Sequence, residues 1–228
     1  MKLLRVGLLC LLLAILSFQA SAALAQSCTA KSGYYVASLN GDIDPGAANF
    51  LSTAVSNAES SCAGNFVFVL TTNGGDGGSM ESMVGSVSSY QQWGGSFVTL
   101  VAPQGAFAFS AGSYIAEAST KVYMVPGTTI GSATPIVSGI PTGEENSTMA
   151  KDINAFTSYM QTLTKSNGRN DTATGLMVTK GVSYPFDLAL KYHVIDGVLN
   201  SSSISGALGA LGVPASTPIN TPGIAPGC

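Results

Sequence analysis

The chain has 228 residues, 46% of them apolar, with a formal charge of −3 and only 9% charged side chains. This charged fraction is far below the roughly 25% that soluble domains average. The ordinary apolar content nevertheless excludes a disordered chain. The negative charge also disfavours nucleic acid or any other polyphosphate as a binding partner.

The first 25 residues have the pattern of a secretory signal peptide. Lys2 and Arg5 precede an apolar run at residues 6–18, and small residues at 20–25 offer a cleavage site. The apolar run is short for a membrane span, although an uncleaved anchor is the alternative. Cleavage would leave 9 − 2 = 7 basic against 12 acidic residues, a charge of −5. We expect an exported, extracytoplasmic protein, soluble or loosely associated with a membrane.

Three cysteines follow the predicted signal peptide: Cys28, Cys62 and Cys228. An oxidising compartment permits one disulfide among them, and we favour pairing Cys28 with Cys62. The sequence contains no Cys-x-x-Cys motif and no histidine cluster, so it predicts no zinc or redox site and no cofactor.

Strands and helices are predicted in alternation from residue 34 onward. The predicted strands are at 34–39, 66–70, 97–101, 122–125 and 194–198. The predicted helices are at 47–59, 80–90, 110–118, 149–165, 172–178 and 185–192. Apolar strands alternating with helices indicate an α/β domain with a mostly parallel sheet.

The predicted domain covers residues 34–200. A short N-terminal extension at 26–33 precedes it, and a segment rich in Gly, Pro and Ser at 201–228 is predicted to be a flexible tail. A mobile loop is predicted at 138–148, directly before the helix at 149–165.

A glycine pair, Gly74-Gly75, comes directly after the second predicted strand. Glycines there let the backbone turn sharply and present N–H groups to a ligand, although a plain strand-to-helix turn is the alternative. The loop lacks the Lys-Ser/Thr ending of a phosphate-binding loop and the spacing of a dinucleotide site, which disfavours nucleotide binding.

Ser110 is the candidate nucleophile. It lies among small residues at the predicted start of a helix, where free N–H groups and the positive end of the helix dipole favour an anion. Ala111 and Gly112 keep the approach to its hydroxyl open. The alternative interpretation is that Ser110 only caps the helix.

A serine nucleophile needs a base, and the chain has a single histidine, His193, which we interpret as a surface residue. A neutral lysine can do the same work where desolvation lowers its pKa from about 10.4. Lys151 lies in the first turn of the predicted helix 149–165, where the helix dipole disfavours an ammonium group. A solvated helix residue is the alternative for Lys151.

Five segments, in this order, resemble the protease domain of the NfeD (stomatin operon partner) membrane-bound serine proteases. Those proteases are related to signal peptide peptidase A and to Clp protease, and share the ClpP/crotonase fold. The segments are YVASLNGDI at 35–43, LTTNGG at 70–75, FSAGSYIA at 109–116, MVPGTTIGSATP at 124–135 and ALKYHVID at 189–196.

The resemblance implies a catalytic dyad of Ser110 and Lys151, with oxyanion donors in Gly74, Gly75 and Ala111. It also implies a polypeptide substrate with apolar segments, a stomatin-like membrane protein as partner, and a homo-oligomer, either a dimer or a larger assembly. The family usually has Asp-x-Pro-Gly-Gly where this chain has TTNGG. That departure weakens the inference about shared substrates.

Together, the signal-peptide pattern and the resemblance predict an exported serine endopeptidase. The alternative is a catalytically silent binding or scaffold protein of the same fold. An acyl-CoA enzyme of the crotonase type is disfavoured by the export signal and by the absence of a basic patch for the CoA phosphates.

Overall fold

Parallel β-structure organises the chain, as the sequence predicts. The structure is a computed structural model that describes Cys28, residues 30–136 and residues 145–222. The predicted signal peptide and much of the predicted loop at 138–148 lie outside these residues. The elements below belong to the unit at residues 31–228. Cys28 and Cys62 are both disulfide-bonded.

The strands, in chain order, are β1 (Tyr34–Asn40), β2 (Asn65–Thr71), β3 (Ser96–Val101), β4 (Phe107–Phe109), β5 (Lys121–Met124), β6 (Thr129–Gly131), β7 (Ser183–Pro185), β8 (Gly197–Val198) and β9 (Ile219–Asn220). Six of them form a sheet in the order β8-β5-β3-β2-β1-β9, and all its neighbouring strands are parallel. The predicted mixed α/β class with a mostly parallel sheet is confirmed.

The helices are α1 (Pro45–Ser60), α2 (Gly77–Gln92), α3 (Ala111–Ala118), α4 (Glu145–Ser166), α5 (Asp171–Thr179), α6 (Phe186–Lys191) and α7 (Ile204–Ala210). None of the helices in the described part of the chain is long and apolar enough to cross a membrane. The start of α4 differs from the prediction. Because α4 begins at Glu145 rather than near Met149, Lys151 lies in its second turn, beyond the first turn where the helix dipole acts most strongly.

The alternation of side chains in β2 and β3 builds a different core on each face of the large sheet. Phe66, Phe68 and Phe97 face one side, where they pack with buried residues of α1, α2 and α3. Val67 and Val98 face the other, where α7 covers them. Aromatic rings dominate the first face, with Phe66 and Phe97 stacked at 4.6 Å between centroids.

A second, three-stranded sheet was not predicted. It has the order β4-β6-β7, with β6 parallel to β4 and antiparallel to β7. A parallel bridge from Thr72 to Ala108 links it to the end of β2. Each of its strands has only three residues, too few to show the alternation by which strands are recognised.

The segment after residue 200 also differs from the predicted tail. Within it, α7 buries Ala207 and Leu208 against the valine face of the sheet. Further on, β9 pairs with β1, and the Asn220 side chain donates to Val36 O at 2.9 Å. Residues 204–220 are therefore part of the folded domain, because without them this face of the sheet would be exposed.

Candidate active site

Ser110 has a backbone conformation that is rare for a residue with a side chain. Its φ is 51° and its ψ is −121°, and such a conformation costs on the order of 1–3 kcal/mol. Ser110 occupies the cap position of α3 but makes no capping hydrogen bond, whereas Asp44, Asp76 and Asn170 each cap their own helices through a side-chain oxygen. Ser110 therefore does not stabilise α3 through its side chain, as the alternative interpretation requires.

The conformation of Ser110 is held by the second sheet. Its N–H donates to Gly131 O, at the end of β6, at 2.9 Å. The buried hydroxyl of Ser113 donates to the same carbonyl at 2.9 Å and to Ala108 O at 3.0 Å. Because β4 leads directly into Ser110, both strands fix the point where α3 starts.

The glycine loop packs directly against Ser110. A Cβ atom built on Gly74, whose φ is 109°, would lie 2.5 Å from Ser110 Cβ and 3.0 Å from its Oγ. On the other side, a Cβ on Gly75 would overlap the backbone of Ile43. Only glycine fits at these two positions, because there is no room for a side chain on either side of the loop.

Hydrogen bonds to Ile43 fix how the loop faces the serine. Ile43 N–H donates to Gly74 O at 2.8 Å, and Asp76 N–H donates to Ile43 O at 2.8 Å. In a trans peptide the N–H points opposite to the carbonyl of the same unit. The Gly75 N–H therefore points away from Ile43.

Two of the three expected oxyanion donors are open. Within the described residues, the N–H groups of Gly75 and Ala111 have no hydrogen-bond acceptor. The Gly74 N–H donates to Thr72 Oγ1 at 3.0 Å. Of the three predicted donors, Gly74 is thus occupied within its own loop, whereas Gly75 and Ala111 are not.

Lys151 lies on α4, which packs on the helix that Ser110 begins. The Tyr114 ring of α3 stacks on Tyr159 at 5.9 Å and meets Phe156 edge-on at 6.0 Å. Lys151 itself is exposed, and no hydrogen bond joins it to Ser110 in the described part of the structure. The structure therefore brings together the serine and the glycine loop but does not join the lysine to them.

The far end of α3 is held by a buried arginine. Arg169 donates from Nε to Glu117 Oε2 at 3.0 Å, and from Nη2 to Glu117 O at 2.7 Å and Ser119 O at 3.0 Å. Its Nη1 reaches Asp196 Oδ2 at 3.0 Å. Burial raises the pKa of Glu117, and the charge of Arg169 opposes that rise.

Three residues of this arrangement were not predicted from the sequence: Thr72, Ser113 and Arg169. Ser113 carried a signal, because it lies one helical turn after Ser110. His193 is exposed, as we interpreted it, and its carbonyl accepts from Asn170 N–H at 3.0 Å. Among the described residues no three His, Cys, Asp or Glu side chains are grouped so as to hold a metal ion.

The family follows from a match over most of the fold just described. The model of the NfeD1b N-terminal domain matches residues 33–191. The chain belongs to this family. The predicted resemblance to NfeD proteins is confirmed, and the matched part contains Ser110, the glycine loop and Lys151.

A curated relative and several solved structures are similar to this NfeD1b domain. The chain is 34% identical over 175 residues to the membrane-bound protease PH1510 of Pyrococcus horikoshii, a match that covers 77% of this chain and 39% of that protein. The chain therefore spans less than half of the length of that relative.

Solved structures of a 1510-N membrane-bound stomatin-specific protease cover the same region. A variant with one serine replaced by alanine has a TM-score of 0.69 and 29% identity over 87% of this chain and 100% of its own. A variant with one lysine replaced by alanine, in complex with a substrate peptide, has a TM-score of 0.69 and 28% identity over 87% and 94%.

Proposed function

We propose that this protein is an exported serine endopeptidase of ClpP/crotonase fold, with Ser110 as nucleophile and Lys151 as base. The observation that carries the proposal is Ser110 itself. Its backbone is strained, its side chain makes no capping hydrogen bond, and it packs against a glycine loop, with two free N–H groups nearby. Strain of this kind persists where the surrounding structure enforces it, and it is concentrated at active sites.

Two observations support Lys151. The serine and the lysine replaced in the two solved variants are 138 − 97 = 41 positions apart in the numbering of that protease. In this chain, Ser110 and Lys151 are also 151 − 110 = 41 positions apart. At about 1.5 Å per residue, Lys151 lies roughly 7.5 Å along α4 from Phe156, and Ser110 roughly 6 Å along α3 from Tyr114. Both residues therefore lie within about two helical turns of the contact between α3 and α4.

In the proposed reaction, the Lys151 amine accepts the Ser110 proton as Oγ attacks the peptide carbonyl. The N–H groups of Gly75 and Ala111 stabilise the negative oxygen, helped by the positive end of α3. The lysine then gives its proton to the leaving amine, and water releases the acyl-enzyme in a second cycle.

The substrate class is inferred from the relatives. The 1510-N protease is specific for a stomatin homologue, and we propose that this chain also cleaves apolar segments of a stomatin-like membrane protein or of secreted proteins. We further propose that it acts as a homo-oligomer outside the cytoplasm.

The test is cleavage of an unstructured apolar peptide by wild type, Ser110→Ala and Ser203→Ala. Ser203 is the matched control, because its side chain caps α7 by accepting from Gly206 N–H at 3.1 Å. Ser203→Ala should cost about 1 kcal/mol of unfolding free energy and leave turnover unchanged. Ser110→Ala should abolish turnover without loss of stability, because Ser110 makes no cap.

Turnover that persists in Ser110→Ala would contradict the proposed nucleophile. A wild-type protein that binds the peptide without cleaving it would instead support the scaffold alternative.

A further inference from the structure

We infer that Thr72 is a positioning residue that sets the geometry of the oxyanion hole, an inference that rests on the proposed function. Thr72 directly follows β2 and is only 1% exposed. Its hydroxyl accepts the Gly74 N–H at 3.0 Å. Among the described residues no hydrogen bond joins its side chain to Ser110 Oγ or to an open donor, so it acts through the backbone around it.

The hydroxyl of Thr72 selects one conformation of a flexible loop. Glycines populate positive and negative φ about equally, so sterics alone do not fix how the Gly74-Gly75 peptide is oriented. Two hydrogen bonds to Gly74 O do, from Ile43 N–H at 2.8 Å and from the Thr72 hydroxyl at 3.4 Å. The Gly74 N–H that donates to Thr72 Oγ1 fixes the preceding peptide of the loop. With both bonds to Gly74 O formed, the Gly75 N–H is directed away from Ile43 and left open.

The backbone of Thr72 ties this loop to the strand that carries the nucleophile. Thr72 N–H donates to Phe107 O at 2.8 Å, and Phe109 N–H donates to Thr72 O at 3.0 Å. Phe109 is the residue before Ser110. One residue therefore fixes the glycine loop through its side chain and the serine segment through its main chain.

The methyl group of Thr72 sets the distance to the second donor. A Cβ atom on Gly112 would overlap Thr72 Cγ2, so the first turn of α3 rests directly on this methyl group. Threonine is stiff at χ1 because it is branched at Cβ. The side chain is thus a fixed spacer between the loop that supplies Gly75 N–H and the turn that supplies Ala111 N–H.

The experiment compares Thr72→Val, Thr72→Ser and the control Thr99→Val. Thr99 is also a fully buried threonine with a hydroxyl partner, Ser119 Oγ at 2.7 Å, but it lies in β3 away from the glycine loop. Thr72→Val should lower kcat about 10- to 100-fold with little change in KM, which is less than the 10²- to 10³-fold loss expected when an oxyanion donor is removed outright.

Thr72→Ser keeps the hydroxyl but removes the methyl group, so its kcat should lie between those of Thr72→Val and wild type, while Thr99→Val should lower the melting temperature without lowering kcat. Amide exchange gives a readout that does not depend on turnover. The Gly74 amide should be protected in wild type and Thr72→Ser, and lose protection in Thr72→Val.

Equal kcat in wild type and Thr72→Val would overturn the inference, as would unchanged protection of the Gly74 amide in Thr72→Val. A wild-type chain without peptidase activity would count against the proposed function, and the exchange measurement would still decide whether Thr72 orients the loop. The two failures are therefore distinguishable.

Discussion

The two sides of the proposed site are built in different ways. On the serine side, formed by Ser110, Gly74, Gly75 and Thr72, the neighbouring backbone is fixed by short hydrogen bonds and by contacts that leave no space for a Cβ atom. On the lysine side, Lys151 is an exposed side chain on α4. We infer that the contribution of the serine side to activity depends on backbone geometry, whereas that of the lysine side depends on the chemistry of one side chain.

Replacing the lysine should therefore have a large effect on activity, second only to loss of the nucleophile, and almost none on stability. Lys151→Met removes the proposed base, and a positioned base contributes typically 10²–10⁴-fold. Lys151→Arg should be equally inactive, because arginine keeps the charge but does not deprotonate. Steady-state turnover of the peptide measures both variants.

Lys165→Met is the matched control, since Lys165 is an exposed lysine on the same helix. Its turnover should equal that of wild type. Full activity in Lys151→Arg would show that the lysine supplies charge rather than accepting a proton.

On the serine side, one added methyl group should be enough to inactivate the protein. Gly74→Ala places a Cβ atom 2.5 Å from Ser110 Cβ, which displaces either the loop or the nucleophile. We expect a loss of at least about 10²-fold in kcat, the scale of a lost oxyanion donor.

Gly105→Ala separates this contact from backbone strain. Gly105 also has a positive φ, 88°, but a Cβ atom there meets nothing within 4 Å. It should lose stability, as alanine does at a positive φ, and keep its activity. Comparable losses of kcat in both variants would mean that strain, not contact with Ser110, inactivates Gly74→Ala.

The same contrast explains what the sequence could predict. The glycine pair and the small residues after Ser110 are visible in the sequence because close backbone approach permits few other residues. The long apolar strands were predicted for a similar reason, since burial on both faces leaves a continuous apolar run. The position of Lys151 relative to Ser110 depends on how α4 packs in three dimensions, and no local sequence pattern fixes that packing.

Thr72 and the second sheet show the other limit. A buried threonine at the end of a strand is ordinary in sequence, and its role appears only when Gly74 N–H and Gly112 are seen beside it. The strands β4 and β6 are held by their pairing and by bonds to Ser110 and Ser113. Those contacts are tertiary, and strands this short show no periodic sequence pattern that would predict them.

A smaller effect is expected where the first turn of α3 meets Thr72. Replacing a helical glycine by alanine usually stabilises a protein by about 0.4–1 kcal/mol. Gly112→Ala should do the opposite, because the new methyl group overlaps Thr72 Cγ2. We expect a lower melting temperature and a loss of about tenfold in kcat, as Ala111 N–H shifts.

Gly85→Ala is the control for this change. Gly85 lies in α2, and a Cβ atom there meets nothing within 4 Å. It should raise the melting temperature and leave kcat unchanged. If Gly112→Ala is also stabilised and active, then α3 does not rest on Thr72 as tightly as its geometry indicates.

The smallest effect is expected at the end of α3 farthest from the serine. Lys121 Nζ lies 2.7 Å from Asp196 Oδ1, but the lysine side chain is 49% exposed, so Lys121→Met should cost under about 1 kcal/mol at pH 7. Activity should not change, because the buried Arg169, not Lys121, binds the carbonyls of Glu117 and Ser119.

The pH dependence of Lys121→Met tests the sign of this contribution. Burial alone would raise the pKa of Asp196, but hydrogen bonds from Lys121 and from Val122 N–H, with the charge of Arg169, lower it below the usual 3.8. A carboxyl with a lowered pKa adds stability above its unfolded pKa and loses it as the pH falls through the folded value. Melting temperatures of wild type and Lys121→Met should therefore differ at pH 7 and converge below the folded pKa of Asp196. A difference that persists to the lowest pH would mean that Lys121 stabilises the fold through its aliphatic stem rather than through the ion pair.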